Sequence, residues 1–468
     1  MMKPSPTPFP SLSQNWEREG QGRVRATVTL LLLPSRETME SILPQPTPTL
    51  PGFRAAGVAC GLKKTGALDL ALIAAEEPCA AAGVFTTNRV KAAPVLYDQE
   101  ILMRNAGGIR AVVINSGGAN ACTGLQGLED ARRTAQLAAK ALGCRADAVL
   151  VMSTGVIGQP LRMDRVEEGI RLAVPALAPD GWEAAAQAIM TTDTRRKLHM
   201  RWTEVDGQPL GCLGIAKGAG MIHPNMATML SLIATNAAIA PVTLLRALRE
   251  AVKDTFNAIT VDGDTSTNDT LVVLANGRGP HVRYGRAAYT AFLESLRETC
   301  LALAVAIVED GEGASKLISI LVRGAPSKTA ARRVAKAIAH SPLVKTAIYG
   351  QDANWGRILA AAGYSGVEID AGRLSLWLGR GRHAPGWIPQ QAGADLVPKT
   401  DTGDLEPLQV HLVREGRPYD VDEARAAQVL AGHDVAITLD LGLGPASAVV
   451  WTCDLTHDYV TINGRYRT

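Results

Sequence analysis

Residues Lys217-Gly-Ala-Gly-Met-Ile-His-Pro-Asn-Met-Ala-Thr228-Met-Leu-Ser-Leu-Ile233 join two textures. Glycine and proline punctuate the first half into an irregular, closely packed turn, and an apolar run with strand character starts directly after Thr228. One hydroxyl therefore stands at a loop-to-strand junction. A threonine hydroxyl is a poor nucleophile near neutral pH unless a base sits beside it, and an α-amino group, with a pKa of about 7.7 to 8.0, is a suitable base. Cutting the chain between Ala227 and Thr228 supplies that amine. The uncut chain can do this itself if Thr228 attacks the Ala227 carbonyl, shifting the acyl group from N to O before water releases it. Taken alone, an Ala-Thr pair after such a turn is more often a plain strand start, so the wider sequence has to decide.

Outward from this stretch, short apolar runs alternate with helical patterns. Strands are expected at 68–74, 111–115 and 148–152, each bounded by Gly, Asn or Ser. A helix is expected over 129–142, stopped by Gly143. In the second half, 242–256 places Leu245, Leu248, Val252 and Phe256 on one helical stripe, and 287–303 reads likewise. The pattern is mixed α/β. From Gly379 to about Pro407 the texture turns to Gly, Pro, Gln and Asp without period, which reads as a long surface insertion. Residues 1–50 are unpatterned and rich in Pro, Ser and Thr, and read either as a disordered tail or as an extension upstream of a start at Met39.

A chain of 468 residues exceeds what one core usually organises, so two domains or two lobes are expected. Hydrophobic residues at 47% and charged ones at 20% disfavour disorder, collagen-like repeats and coiled coil. A formal charge of +3 gives no strong field for phosphate backbones, and 4% aromatic residues leave few stacking platforms, so nucleic acid is not an expected partner. The apolar run at 26–33 is far short of the roughly 20 residues of a membrane span. Acidic Glu17 and Glu19 before it make it a weak signal peptide. Seven widely spaced cysteines without a C-x-x-C fit a reducing cytoplasm.

The stretch at 217–229 resembles the hallmark segment of the ornithine acetyltransferase family, the glutamate N-acetyltransferases of arginine synthesis. The resemblance runs from about Pro51 to Thr468. Among its long matches are Ser153-Thr-Gly-Val-Ile-Gly158, Thr191-Thr-Asp-Thr194, Thr260-Val-Asp-Gly-Asp-Thr-Ser-Thr-Asn-Asp-Thr270, Asp310-Gly-Glu-Gly-Ala-Ser-Lys316 and Asp352-Ala-Asn-Trp-Gly-Arg-Ile358. It implies an α/β fold of layered helices and sheets in two lobes, related to self-cleaving aminopeptidases. It implies self-cleavage at Ala227–Thr228 into an α chain (51–227) and a β chain (228–468), assembled as a heterotetramer of two of each. Thr228 is then the acetyl carrier. Thr154 and Gly155 match the family's oxyanion-hole pair, and Thr194, Lys217, Thr228, Glu312, Asn463 and Thr468 match its substrate contacts.

Those residue types suit the chemistry the resemblance implies. Acyl transfer passes through a tetrahedral oxyanion that fixed donors stabilise. Lys217 can pair with the carboxylate of an N-acetylated amino acid, Glu312 with an ammonium of ornithine, and Asn463 offers both a donor and an acceptor. The substrates are N2-acetylornithine and glutamate, with no cofactor or metal, and acetyl-CoA stays open as a second donor. Singly, Lys217 reads as a surface lysine and Glu312 as a turn carboxylate. The Asp262-Gly-Asp264 loop lacks the glycine and distal glutamate of a calcium loop and reads as a structural turn. His223 beside Pro224 reads as packing, and Gly442-Leu-Gly444 as a turn. The rivals are a self-cleaving aminopeptidase or amidase of related fold and an uncleaved binding protein.

Overall fold

The computed structural model describes residues 47–223, 229–383, 408–419 and 422–465. Ala227, Thr228 and Thr468, the tail before residue 47 and most of the 379–407 stretch lie outside the described residues.

The first sheet is built from β1 (Phe53–Val58), β2 (Leu70–Phe85), β3 (Ile109–Asn115), β4 (Val149–Ser153), β5 (Lys197–Val205), β6 (Gln208–Lys217), β7 (Leu230–Thr235) and, beyond a short β8 (Ala238–Ile239), β9 (Thr270–Ala275). Its order is β4-β3-β2-β9-β7-β6-β5, with β1 also paired to β2. Sixteen residues of β2 serve two neighbourhoods. Leu70–Ala75 pairs with β1 and β3, and Ala80–Phe85 pairs with β9. The break between them falls at exposed Glu76, Glu77 and Pro78, where the pairing register shifts and the missing proline N–H costs no ladder bond. The strand therefore runs well past the end expected at Ala74.

Alternation along the central strands assigns each residue to one of two cores. On β7, Leu230, Leu232 and Ala234 enter one core and Ile233 the other; on β9, Val272 and Leu274 oppose Leu271 and Val273. The first core is closed by α1 (Ala93–Asn105), α2 (Gly124–Leu142), α3 (Met163–Ala173) and α4 (Trp182–Ala188). The second is closed by α5 (Pro241–Lys253) and α6 (Ala287–Glu309). Helix α2 ends as expected at Gly143, whose φ of 66° is the left-handed cap that glycine adopts without strain. Helix α5 stops at Lys253, and Phe256 of the anticipated stripe is buried from a short 3-10 turn, Phe256–Ala258. Helix α6 runs six residues past the expected end at Leu303, because its buried face continues through Ala304, Ile307 and Val308.

Beyond β10 (His281–Val282), the chain forms a second sheet from β11 (Leu317–Ala325), β12 (Ser375–Arg380), β13 (Gln409–Arg414), β14 (Arg417–Pro418), β15 (Asp434–Asp440) and β16 (Ala446–Cys453), in the order β14-β13-β12-β15-β11-β16. Leu317, Leu321, Val449 and Trp451 face the core of α5 and α6. Ile318, Ile320 and Val450 face a third core closed by α7 (Lys328–His340), α8 (Pro342–Tyr349), α9 (Trp355–Gly363) and α10 (Glu423–Leu430). The chain's last described element is α11 (His457–Gly464). The result is the layered, mixed α/β architecture expected, with the described residues in one compact unit. The start of the insertion differs as well: Gly379 and Arg380 belong to β12, where Gly379 pairs with Gln409 and Ala436, so the aperiodic stretch starts after the strand.

Candidate active site

Three strand ends and the α6–β11 turn converge on one cavity of about 250 Å³. The end of β4 delivers Thr154 and Gly155, the end of β6 delivers Lys217, and the start of β7 delivers Met229 and Leu230. Glu312 arrives from the turn after α6, and Asn463 from α11. Thr191, Thr192, Met221, Ser266, Asn268 and Asp269 complete the polar and apolar wall.

Two asparagines shape the corner after β4. Asn115 accepts the Thr154 N–H at its carbonyl (3.0 Å) and the Ser153 hydroxyl at Oδ1 (2.6 Å), and its amide donates to the Gly118 carbonyl at 2.9 Å. Asn268 donates through Nδ2 to the carbonyls of Ala119 (2.5 Å) and Ser153 (2.8 Å). Gly155 has φ of 132°, and a Cβ there would meet the backbone carbon of Gly117 at 2.5 Å. Only glycine fits, for steric as well as conformational reasons. Because the Thr154 N–H is committed to Asn115, the group that Thr154 can offer to a reacting oxygen is its hydroxyl.

Lys217 Nζ donates to Thr154 Oγ1 at 3.0 Å and to Thr191 Oγ1 at 3.2 Å. An ammonium donating to the hydroxyl oxygen leaves the Thr154 O–H as a polarised donor. Burial pulls the Lys217 ammonium below the ordinary lysine range, and Lys197 adds to this; the charges of Asp193, Asp269 and Glu312 act in the opposite sense. Glu312 is almost fully buried at 7% exposure, with its N–H on the Ala219 carbonyl at 2.9 Å and its Oε2 accepting from Asn463 Nδ2 at 2.7 Å. A Cβ on Gly220 would stand 2.4 Å from Glu312 Cδ, so a bare backbone makes room for the carboxylate.

Of the residues singled out in the sequence, Thr154, Gly155, Lys217, Glu312 and Asn463 line this one cavity. Thr194 is elsewhere: its N–H and hydroxyl both donate to Asp310, and Thr191 and Thr192 line the cavity in its place. The Thr-Thr-Asp-Thr motif offers three threonines within four positions, and spacing alone does not choose among them. Asp262 is the anticipated turn residue, accepting the N–H groups of Met221 (2.6 Å) and Ile222 (2.9 Å). The part Asn268 plays in holding this corner is invisible in sequence, because its two carbonyl acceptors lie more than a hundred positions away. His223 Nδ1 and His340 Nε2 are 2.7 Å apart, outside the cavity lining.

A glycine-shaped corner with a threonine hydroxyl, a half-buried lysine that polarises it and a carboxylate opposite define an enzyme for group transfer to or from a small charged substrate. Comparisons with known proteins narrow this. Residues 54–468 match the ArgJ family. The Arginine biosynthesis bifunctional protein ArgJ of Symbiobacterium thermophilum is 50% identical over 421 residues, 89% of this chain and 97% of that protein. Its namesake in Thermotoga neapolitana is 48% identical over 419 residues, 89% of this chain and 99% of that protein. A solved chain described as ornithine acetyltransferase complexed with ornithine, from Mycobacterium tuberculosis, is 44% identical, with 40% of this chain and 95% of that chain covered and a TM-score of 0.34. The chain belongs to the ArgJ family, the ornithine acetyltransferases that its motifs resemble. The aminopeptidase alternative is set aside.

Proposed function

We propose that this enzyme moves an acetyl group from N2-acetylornithine to glutamate by two-step chemistry on Thr228. The observation that carries the reading is the cavity: Met229, bonded to Thr228 in the chain, lines it together with Thr154, Gly155, Lys217 and Glu312. The freed α-amine of Thr228 takes the hydroxyl proton as Oγ1 adds to the acetyl carbonyl, and the tetrahedral oxyanion is met by the Thr154 hydroxyl and Gly155. Collapse expels the ornithine amine, which leaves with that proton, and the acetyl ester stays on Thr228. Glutamate's α-amine then attacks the ester, its proton returns to Thr228 Oγ1, and N-acetylglutamate leaves.

Self-cleavage at Ala227–Thr228 supplies the amine, and the α and β chains assemble as a heterotetramer of two of each. No cofactor or metal enters the scheme. The bifunctional relatives support acetyl-CoA as a second acetyl donor. Among the described residues no helix is long and apolar enough to cross a membrane. Such a biosynthetic enzyme of free metabolites belongs in the cytoplasm. Lys217, Glu312 and Asn463, which line the cavity, are read together with Thr191 as substrate contacts, and the family resemblance supports Thr194 and Thr468 as further ones.

The test is direct. Purified protein should run as two chains, the larger beginning at Thr228, and should gain one acetyl group on the β chain when given acetylornithine without glutamate. Thr228→Ala should remain one inactive chain. A single intact chain with full transfer activity, or acetyl on another residue, overturns the reading.

A further inference from the structure

Behind the cavity wall lies a buried ion cluster that the acetyl-transfer scheme does not use. Lys197 Nζ donates to Asp193 Oδ1 at 2.6 Å and to Asp310 Oδ2 at 2.5 Å, with all three side chains closed off from solvent. Burying three ionised groups is costly, and a cluster of well-packed apolar residues would serve stability as well or better. What an apolar replacement could not do is hold the flanking backbone. Asp193 Oδ1 also accepts the Gly218 N–H at 2.6 Å, and Asp193 Oδ2 accepts the Thr191 N–H at 2.8 Å. Gly218 follows Lys217 directly, and Thr191 carries the hydroxyl on which Lys217 Nζ rests. One carboxylate therefore grips both backbone segments that place the lysine, and Asp310 anchors it from the side of the turn that carries Glu312.

We propose that Asp193, held by the Lys197–Asp310 bridge, is a positioning residue for Lys217: it fixes the lysine's location and its state of charge in the cavity. The proposal rests on the acetyl-transfer reading of the site. The charges facing the Lys217 ammonium are those of Asp193, Asp269 and Glu312, which favour its protonated form, and of Lys197, which disfavours it. Lys63 also faces this group of charges. Asp193 itself is held down to about 2: burial opposes ionisation, and the Lys197 and Lys217 charges outweigh it. It is a fixed anion at any working pH.

The consequence appears in the pH dependence of kcat/KM. The acid limb belongs to the Thr228 amine, which must be free to take a proton, and the alkaline limb to Lys217, which must keep one. In Asp193→Asn the anion is lost and desolvation is less opposed, so the alkaline limb should move about one pH unit toward acid. In the double variant Lys197→Met, Asp310→Asn the anion remains while its competing cation is gone, so the limb should move the other way. A role confined to folding lowers the amount of active enzyme and moves neither limb.

The experiment is a set of pH–rate profiles for acetylornithine-to-glutamate transfer by cleaved wild type, Lys217→Gln, Asp193→Asn and the double variant. Limbs displaced in opposite directions support the proposal, and the double variant decides it if Asp193→Asn does not fold. Limbs unmoved in both, with a limb that vanishes in Lys217→Gln, overturn it while leaving the acetyl-transfer reading intact. An alkaline limb that persists in Lys217→Gln overturns the reading of Lys217 and this proposal together.

Discussion

Glu312 and Asn463 lie 151 positions apart in the chain and meet in one hydrogen bond, Asn463 Nδ2 to Glu312 Oε2 at 2.7 Å. A carboxylate held in place by this amide can accept a further hydrogen bond from an ammonium of ornithine. Glu312→Gln keeps the size and removes the charge, worth roughly 1.5 to 3 kcal/mol for such a bond. That is about one to two decades in kcat/KM. The loss should fall on acetylation of Thr228 by acetylornithine, followed by mass spectrometry of the β chain in single turnover. Deacylation by glutamate, which lacks the side-chain ammonium, should suffer less. An unchanged acetylation rate would make Glu312 a structural turn residue.

Gly220→Ala tests the same carboxylate from the other side. Gly220 is not among the positive-φ residues, so its backbone accepts alanine, but the new methyl would meet Glu312 Cδ and Oε2 at 2.4 Å. The carboxylate has to turn away. The variant should reproduce the Glu312→Gln loss in acetylation, about tenfold or more, and combining the two changes should add little. Fully additive losses would show that the two residues act separately.

Thr154→Val keeps the shape of the corner and deletes the hydroxyl that Lys217 polarises. Removing one oxyanion donor costs about 10² to 10³ in kcat. KM should change much less, since the donor acts on charge that develops in the transition state. Thr154→Ser should restore most of the rate. A KM effect of equal size would assign Thr154 to ground-state binding.

The His223–His340 pair gives the protein an acid sensitivity away from the cavity. Burial depresses both imidazoles, His223 to about 3 and His340 to about 4, with Lys336 beside both and Lys345 beside His340 adding repulsion. In the unfolded chain each titrates near 6.5. The folded protein binds fewer protons between those values, so the stability contribution is complete above about 6.5 and is lost as pH falls through about 4 and then about 3. Thermal unfolding should show Tm falling over that range, and His340→Phe should flatten the fall. An equal slope in the variant would place the acid sensitivity elsewhere.

How much of this was legible in the sequence depends on the range of the interaction. Glycine and proline around 217–224, the helix stop at Gly143 and the apolar runs of β3 and β4 are local signals, because backbone conformation and side-chain alternation are decided within a few residues. The long motifs carried the family, and with it Thr154, Gly155, Lys217, Glu312 and Asn463. The continuation of β2 past Pro78 was not legible, since the pairing that sustains it comes from β9, nearly two hundred positions later.

Tertiary structure alone decided which threonine of the 191–194 motif faces the cavity. Asp310 captures Thr194 from more than a hundred positions away and leaves Thr191 beside Lys217. It also decided that Asp193 and Asp310 share Lys197, and that Thr154 contributes a hydroxyl because its N–H is spent on Asn115. Sequence determined the chemical groups and their local backbone. Which of those groups are free to act was settled by packing, because a buried polar atom must find a partner and the partner is chosen by proximity in space, with no record in the spacing along the chain.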